Sequence, residues 1–269
     1  MMRSLWTAAT GMLAQQLNVD VIANNLANVN TTGYKKDRVE FKDLLYETIN
    51  RAYISNDSNR PVNLQVGHGT VAVATVKNYD AGNLEKTNSN FDFAIEGDAF
   101  FVLKGSKDEH IYTKDGSFKL ITAVDGSKRL TTSDGYAVID TNGNEISFNI
   151  DLSKIIVDNN GGINYADSVT NSIISTGIKV GMVKFQNAQG LESIGKNSFA
   201  KTSASGDPIV DADMGIKSVI NQGFLESSNV QVIEEMVKLI IAQKAYEVNS
   251  KAIQSSDEML GIANNLRRG

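Results

Sequence analysis

From residue 228 to residue 266 the chain reads SNVQVIEEMVKLIIAQKAYEVNSKAIQSSDEMLGIANNL, and the reading of this stretch decides the fold. Ile241, Ala245, Val248, Ala252, Ser255, Met259, Ile262 and Leu266 alternate four and three apart, the spacing of a heptad seam. Val230, Ile233, Val237 and Ile240 extend a neighbouring stripe. Ser228 followed by Gln231 fits a capping box, Glu234 and Glu235 suit the positive end of a helix dipole, and Arg267 and Arg268 suit the negative end. The pattern predicts a helix over 228–266, roughly 58 Å long at about 1.5 Å per residue. Such a helix cannot bury its apolar stripe alone.

The amino end repeats the pattern. Leu5, Ala9, Met12, Gln16, Val19, Ala23 and Leu26 follow the same alternation, without proline, and the stretch ends at Asn30-Thr31-Thr32-Gly33, where Gly33 can close a helix in the left-handed conformation. Residues 4–32 are therefore expected to be mostly helical, and the two seams are natural partners. An amphipathic helix lying on its own globular domain gives the same periodicity. Against that reading stand the length beyond 25 residues and the small or polar seam members Ala9, Gln16, Ala23, Ala245, Ala252 and Ser255, which suit close helix packing.

Between the ends the texture changes to short β-type runs. Residues 70–76 (TVAVATV), 99–103 (AFFVL) and 179–185 (KVGMVKF) are separated by turn dipeptides at Asp115-Gly116, Asp125-Gly126, Asp134-Gly135, Asn142-Gly143 and Gly161-Gly162. Residues 50–66, polar around Pro61, read as extended. The expected class is α+β: long terminal helices paired in coiled-coil fashion, plus a central antiparallel β domain. The expected division is an amino-terminal helix (1–33), a connector (34–69), the β domain (70–222) and a carboxyl-terminal helix (223–269).

Composition narrows the function. The chain has 269 residues, a net charge of -5 and no cysteine, which excludes disulfides and thiolate chemistry and argues against nucleic acid as a partner. No apolar run approaches the roughly 20 residues of a membrane span, so membrane insertion is not expected. The amino terminus carries one early basic residue, Arg3, and its apolar residues are interrupted by Thr7, Thr10, Gln15, Gln16 and Asn18, so a cleaved signal peptide is not expected.

Several local features imitate active sites. Asp140, Asn142 and Asn144 have the spacing of a calcium loop, but its obligatory glycine position holds Glu145. Gly67-His68-Gly69 lacks the third glycine of a dinucleotide fingerprint. The adjacent acids Glu234-Glu235 and Asp257-Glu258 point in different directions on a helix, and His68 and His110 offer no defensible triad. Trp6 reads as a packing anchor. No catalytic, metal-binding or cofactor-binding residues are expected.

The segment Ala23-Asn24-Asn25-Leu26-Ala27-Asn28-Val29-Asn30-Thr31-Thr32-Gly33-Tyr34-Lys35 resembles the amino-terminal signature of flagellar rod and hook proteins. Ser4-Leu5-Trp6 and residues 41–46 (FKDLLY) look more like the distal-rod branch than the hook or proximal-rod branches. Residues 223–230 (GFLESSNV), 234–236 (EEM) and 242–251 (AQKAYEVNSK) match the same family, as do the interior blocks 92–97, 112–118 and 189–195. Ala99 stands where the family usually has glycine, and 50–66 and 153–176 match poorly.

The resemblance implies a non-enzymatic axial subunit of the basal body, in the periplasmic rod. It would self-assemble helically into a hollow rod that transmits motor torque to the hook and forms part of the export channel. Its implied partners are copies of itself, other rod subunits, the hook protein, the flagellar type III export apparatus and envelope ring proteins. Under this reading the interface candidates are Leu5, Ala9, Met12, Val19, Ala23, Leu26, Val237, Ile241, Ala245, Val248, Ala252, Met259, Ile262 and Leu266.

Overall fold

The computed structural model describes residues 2–50, 63–105, 109–122, 126–148, 155–166, 173–210 and 218–266. Pro61, Asp125, Arg267 and Arg268 lie outside these residues, as do parts of the poorly matching stretches 50–66 and 153–176. The class is α+β: a helix α1 (Met2–Ala27), 21 strands paired antiparallel among the described residues, and a helix α2 (Val232–Leu266).

Helix α1 stops earlier than expected because Asn28 and Thr31 turn the chain locally. The Thr31 amide donates to the Asn28 carbonyl at 3.2 Å, and the Thr31 hydroxyl donates to Asn28 Oδ1 at 3.2 Å. The amide hydrogen bond spans three residues, a tight turn in place of the four-residue step that would continue the helix. Gly33 is left-handed, with φ +66°, but it serves a close approach rather than a helix cap. A Cβ there would lie 2.7 Å from the Asp115 amide nitrogen. Helix α2 begins at Val232, and Gln231 supplies its first carbonyl, accepting from the Glu235 amide at 3.0 Å. The expected capping box does not form there, since the Ser228 hydroxyl accepts from Val230, two residues on.

The chain folds into two compact units, and they interleave in sequence where consecutive segments were expected. One holds Met1–Ala27, Asp37–Lys77 and Gln231–Gly269; the other holds Asn28–Lys36 and Asn78–Val230. Among the described residues of the expected connector 34–69, three stretches are paired strand. Asp37–Asp43 pairs with Thr70–Lys77, and Tyr46–Asn50 pairs with Leu64–Gly67. Residues 70–77, assigned from sequence to the β domain, therefore belong to the helical unit.

In the β unit the decisive strand is Phe100–Lys104. It pairs with Ala137–Val138, His110–Thr113 and Met182–Lys184, within a sheet of ten strands. Successive side chains of a strand face opposite ways, so Phe101 and Leu103 enter one core with Phe118, Leu130, Val138 and Ile146. Phe100 and Val102 enter a second core with Tyr112, Ile139, Phe185 and Phe199. Both faces are covered, which is why the run is continuously apolar rather than alternating. Edge-to-face ring pairs seal the cores, Phe101 with Phe118 at 5.1 Å and Tyr112 with Phe185 at 4.8 Å.

Turn chemistry matches most of the sequence reading. Gly135, Gly143 and Gly161 all take positive φ in tight turns. Asp115-Gly116 differs: the Gly116 carbonyl accepts from the Phe93 amide at 3.0 Å, so the pair docks against a strand instead of reversing a hairpin. The expected strand 179–185 is split, with Lys179 ending one strand and Met182 opening the next.

Candidate subunit interface

The helical unit brings α1 and α2 together antiparallel. Ser4 meets Ser256 through their hydroxyls at 3.2 Å, Gly11 lies under Asn249, and the Asn25 side-chain amide donates to Glu235 Oε2 at 3.3 Å. Steps of seven and fourteen residues forward along α1 are matched by equal steps backward along α2. The contact is close because its members are small. A Cβ on Gly11 would lie 2.8 Å from Asn249 Nδ2, and Ala8 and Ala242 are buried.

This contact does not run through the expected stripes. On α2 the buried residues are Glu235, Ala242 and Ser256, while the expected Ile241, Val248 and Ser255 lie one position away, on the exposed side. Val248 is 64% exposed and Ile262 61%, and Val237, Ala252, Met259 and Leu266 are exposed as well; Ala245 is half-buried. On α1, Leu5, Ala9, Met12, Val19 and Leu26 are half-buried and Ala23 is exposed. The α1 residues fully buried are Ala8, Ala14, Ile22 and Asn25. The signal that would have found the intramolecular contact was present in the sequence, in the seven-residue spacing of Glu235, Ala242, Asn249 and Ser256.

The exposed apolar surface is wider than the stripe. Trp6, 69% exposed, with Leu13 and Leu17, adds to it on α1, and Ile233, Ile240 and Tyr246 add to it on α2. Charged groups occupy the remaining faces. Glu247 accepts from Lys244 and Lys251, at 2.8 Å each, and these two ammonium groups hold its carboxyl down to about 2. Apolar side chains scattered singly on a surface are ordinary, whereas a large contiguous apolar patch is the usual mark of an interaction site.

The β unit carries charge in its interior instead. Lys35 Nζ, fully buried, donates to Glu226 Oε1 at 2.6 Å and to the Asp80 carbonyl at 2.7 Å, and the Gly82 amide donates to the same carboxylate oxygen at 2.8 Å. Lys114 Nζ donates to the Gly97 carbonyl at 2.7 Å and sits 5.3 Å from the Phe100 ring centroid. Burial pushes its ammonium down to about 8, against the upward pull of Glu226. These contacts tie residues 28–36 into the β unit, giving the Gly33-Tyr34-Lys35 end of the signature a structural reason. The Asn142-Gly143 turn uses its carboxylate in the same structural way, since Asp140 Oδ1 accepts from the amides of Asn142 and Asn144 at 2.8 Å each. Among the described residues no group of three or more His, Cys, Asp or Glu is placed to hold a metal ion, and no helix is long and apolar enough to cross a membrane.

Comparison with known proteins places this geometry. Family models described as flagella basal body rod protein, flagellar hook protein FlgE/F/G D1 domain, and flagellar basal body rod FlgEFG protein C-terminal match residues 5–35, 94–165 and 221–266. The flagellar basal-body rod protein FlgG of Borreliella burgdorferi is 47% identical over 274 residues, covering 100% of both chains. That of Buchnera aphidicola subsp. Schizaphis graminum is 42% identical, covering 97% of this chain and 98% of the relative. Among solved structures, the Helicobacter pylori flagellar hook protein FlgE2 aligns at 14% identity and a TM-score of 0.24, over 63% of this chain and 47% of its own, too little to support any argument.

A chain with a helix at each end and an antiparallel β unit between them in sequence, matched at both ends and in the middle, defines a structural component of the flagellar rod and hook class. Within it, the chain belongs to the flagellar basal-body rod protein FlgG family. It is a structural rod subunit of the flagellar basal body, not an enzyme.

Proposed function

We propose that this subunit builds the distal rod by stacking helically with copies of itself into a hollow tube, through the apolar surface of its helical unit. The tube transmits motor torque to the hook and lines part of the export channel. Its interface residues are Leu5, Ala9, Met12, Val19, Ala23, Leu26, Val237, Ile241, Ala245, Val248, Ala252, Met259, Ile262 and Leu266. In the assembled rod these bring helices of neighbouring subunits into coiled-coil-like contact. The observation that carries the reading is that α2 turns small and polar residues toward α1 and leaves Val248, Met259, Ile262 and Leu266 exposed. A helical stack has no closed point group, so each subunit needs unlike surfaces for its neighbours, which two different helices supply. Close-packed helices yield little to strain, which suits a torque shaft.

Other rod subunits and the hook protein adjoin the two ends of the stack, envelope rings surround it, and the flagellar type III apparatus delivers the chain to the periplasm. Electron microscopy of the purified protein at high concentration tests the assembly. Tubes or protofilaments are expected; isolated globules, or particles bound to added vesicles, would overturn it.

A further inference from the structure

Asn25 and Glu235 are a buried polar pair at one end of the α1–α2 contact, exposed by 1% and 2%. Asn25 Oδ1 accepts from the Asp37 amide at 2.9 Å, and its Nδ2 donates to the Asp37 carbonyl at 2.8 Å as well as to Glu235 Oε2. Glu235 Oε1 accepts from Lys238 at 2.9 Å. One side-chain amide thus fixes both the start of strand Asp37–Asp43 and the first turn of α2. The rest of the contact is built from Ala8, Gly11, Ala242 and the Ser4–Ser256 pair, small side chains, with the Asn249 amide lying over Gly11.

We propose that the Asn25–Glu235 contact is the register lock of the helix pair. A slip of one turn carries Glu235 toward Ile22, three residues back along α1, and buries a carboxylate without its amide partner. Register choice is the best-attested use of buried polar groups between helices, and both members of the Asn25–Glu235 pair are buried. The lock also fixes which apolar residues of the two helices lie side by side outside the pair, a consequence that rests on the assembly reading above.

The chain has no cysteine, so engineered pairs report register without background. Ser4→Cys combined with Ser256→Cys should close a disulfide in the full-length monomer, because the two hydroxyls already meet. Ser4→Cys with Ile253→Cys or Leu260→Cys reports a slip of one turn either way. With the native Glu235, the in-register pair is expected to cross-link at least tenfold more than either slipped pair. Glu235→Leu should lower that preference at least fivefold and raise a slipped pair, whereas Glu235→Gln, which keeps an acceptor for Asn25, should preserve it. An unchanged preference in Glu235→Leu overturns the proposal. So does the loss of all three cross-links, since the contact would then hold the pair together without choosing its register. A slipped register in subunits that still form normal rods would sink the assembly reading and leave the lock standing.

Discussion

The two units of this subunit solve the problem of apolar surface in opposite ways. In the β unit, the strand Phe100–Lys104 is covered on both faces, and Phe101 is 0% exposed. In the helical unit, the residues of α2 that are fully buried are Glu235, Ala242 and Ser256, while Ile233, Ile240, Ile241, Val248, Ile262 and Leu266 are exposed. The β unit holds its stability within one chain. Under the assembly proposed above, the helical unit buries the rest of its apolar surface against neighbouring subunits.

Truncation separates the two behaviours most sharply. Phe101→Ala opens a cavity in a closed core and is expected to cost about 3–5 kcal/mol of monomer stability. Ile262→Ala on α2 should fall within about 0.5 kcal/mol of the parent, yet weaken assembly. Urea unfolding of the monomer checks both; a costly Ile262→Ala would show that the stripe is already buried within one subunit.

The buried ion pair comes next in size. Lys35→Met leaves the Glu226 carboxylate in the interior without its ammonium, at an expected cost of about 3 kcal/mol or more. The double change Lys35→Met with Glu226→Leu should recover part of that loss. Equal unfolding midpoints for parent and Lys35→Met would show that the pair contributes nothing to holding residues 28–36.

A smaller effect should appear with pH. Burial lowers the Lys114 ammonium to about 8 in the folded chain, from 10.5 as its ordinary value. Between those values the unfolded chain binds more protons, so this group makes stability rise with pH there, by up to about 3 kcal/mol across the window. Relative to Lys114→Met, the parent should gain stability from pH 8 to 10; a flat difference would contradict the burial. Least of all is expected from Glu247→Gln on the solvated face of α2, where the unfolding midpoint should not move measurably.

The same contrast governs what the sequence could disclose. Heptad spacing announced both helices, because periodicity in one element is a local property. It named the stripe from Ile241 to Leu266 but not the face that meets α1, since Glu235, Asn249 and Ser256 carry no apolar signal. The run at 99–103 betrayed a buried strand. Nothing local showed that residues 37–43 would pair with 70–77, or that Lys35 would reach Glu226, because pairings distant in sequence leave no period to read.

The central claim is that the exposed stripe is an assembly surface, and Val248→Asp tests it most directly. Val248 is exposed in the monomer, so the variant should fold and be exported, yet in the stack it would bury a carboxylate without a partner in every subunit. Lys251→Asp, an exposed position off the stripe, serves as the control. Electron microscopy of cells carrying Val248→Asp should show no distal rod, hook or filament, while the control retains all three. Normal rods in the Val248→Asp cells, with the variant present in them, would contradict the account.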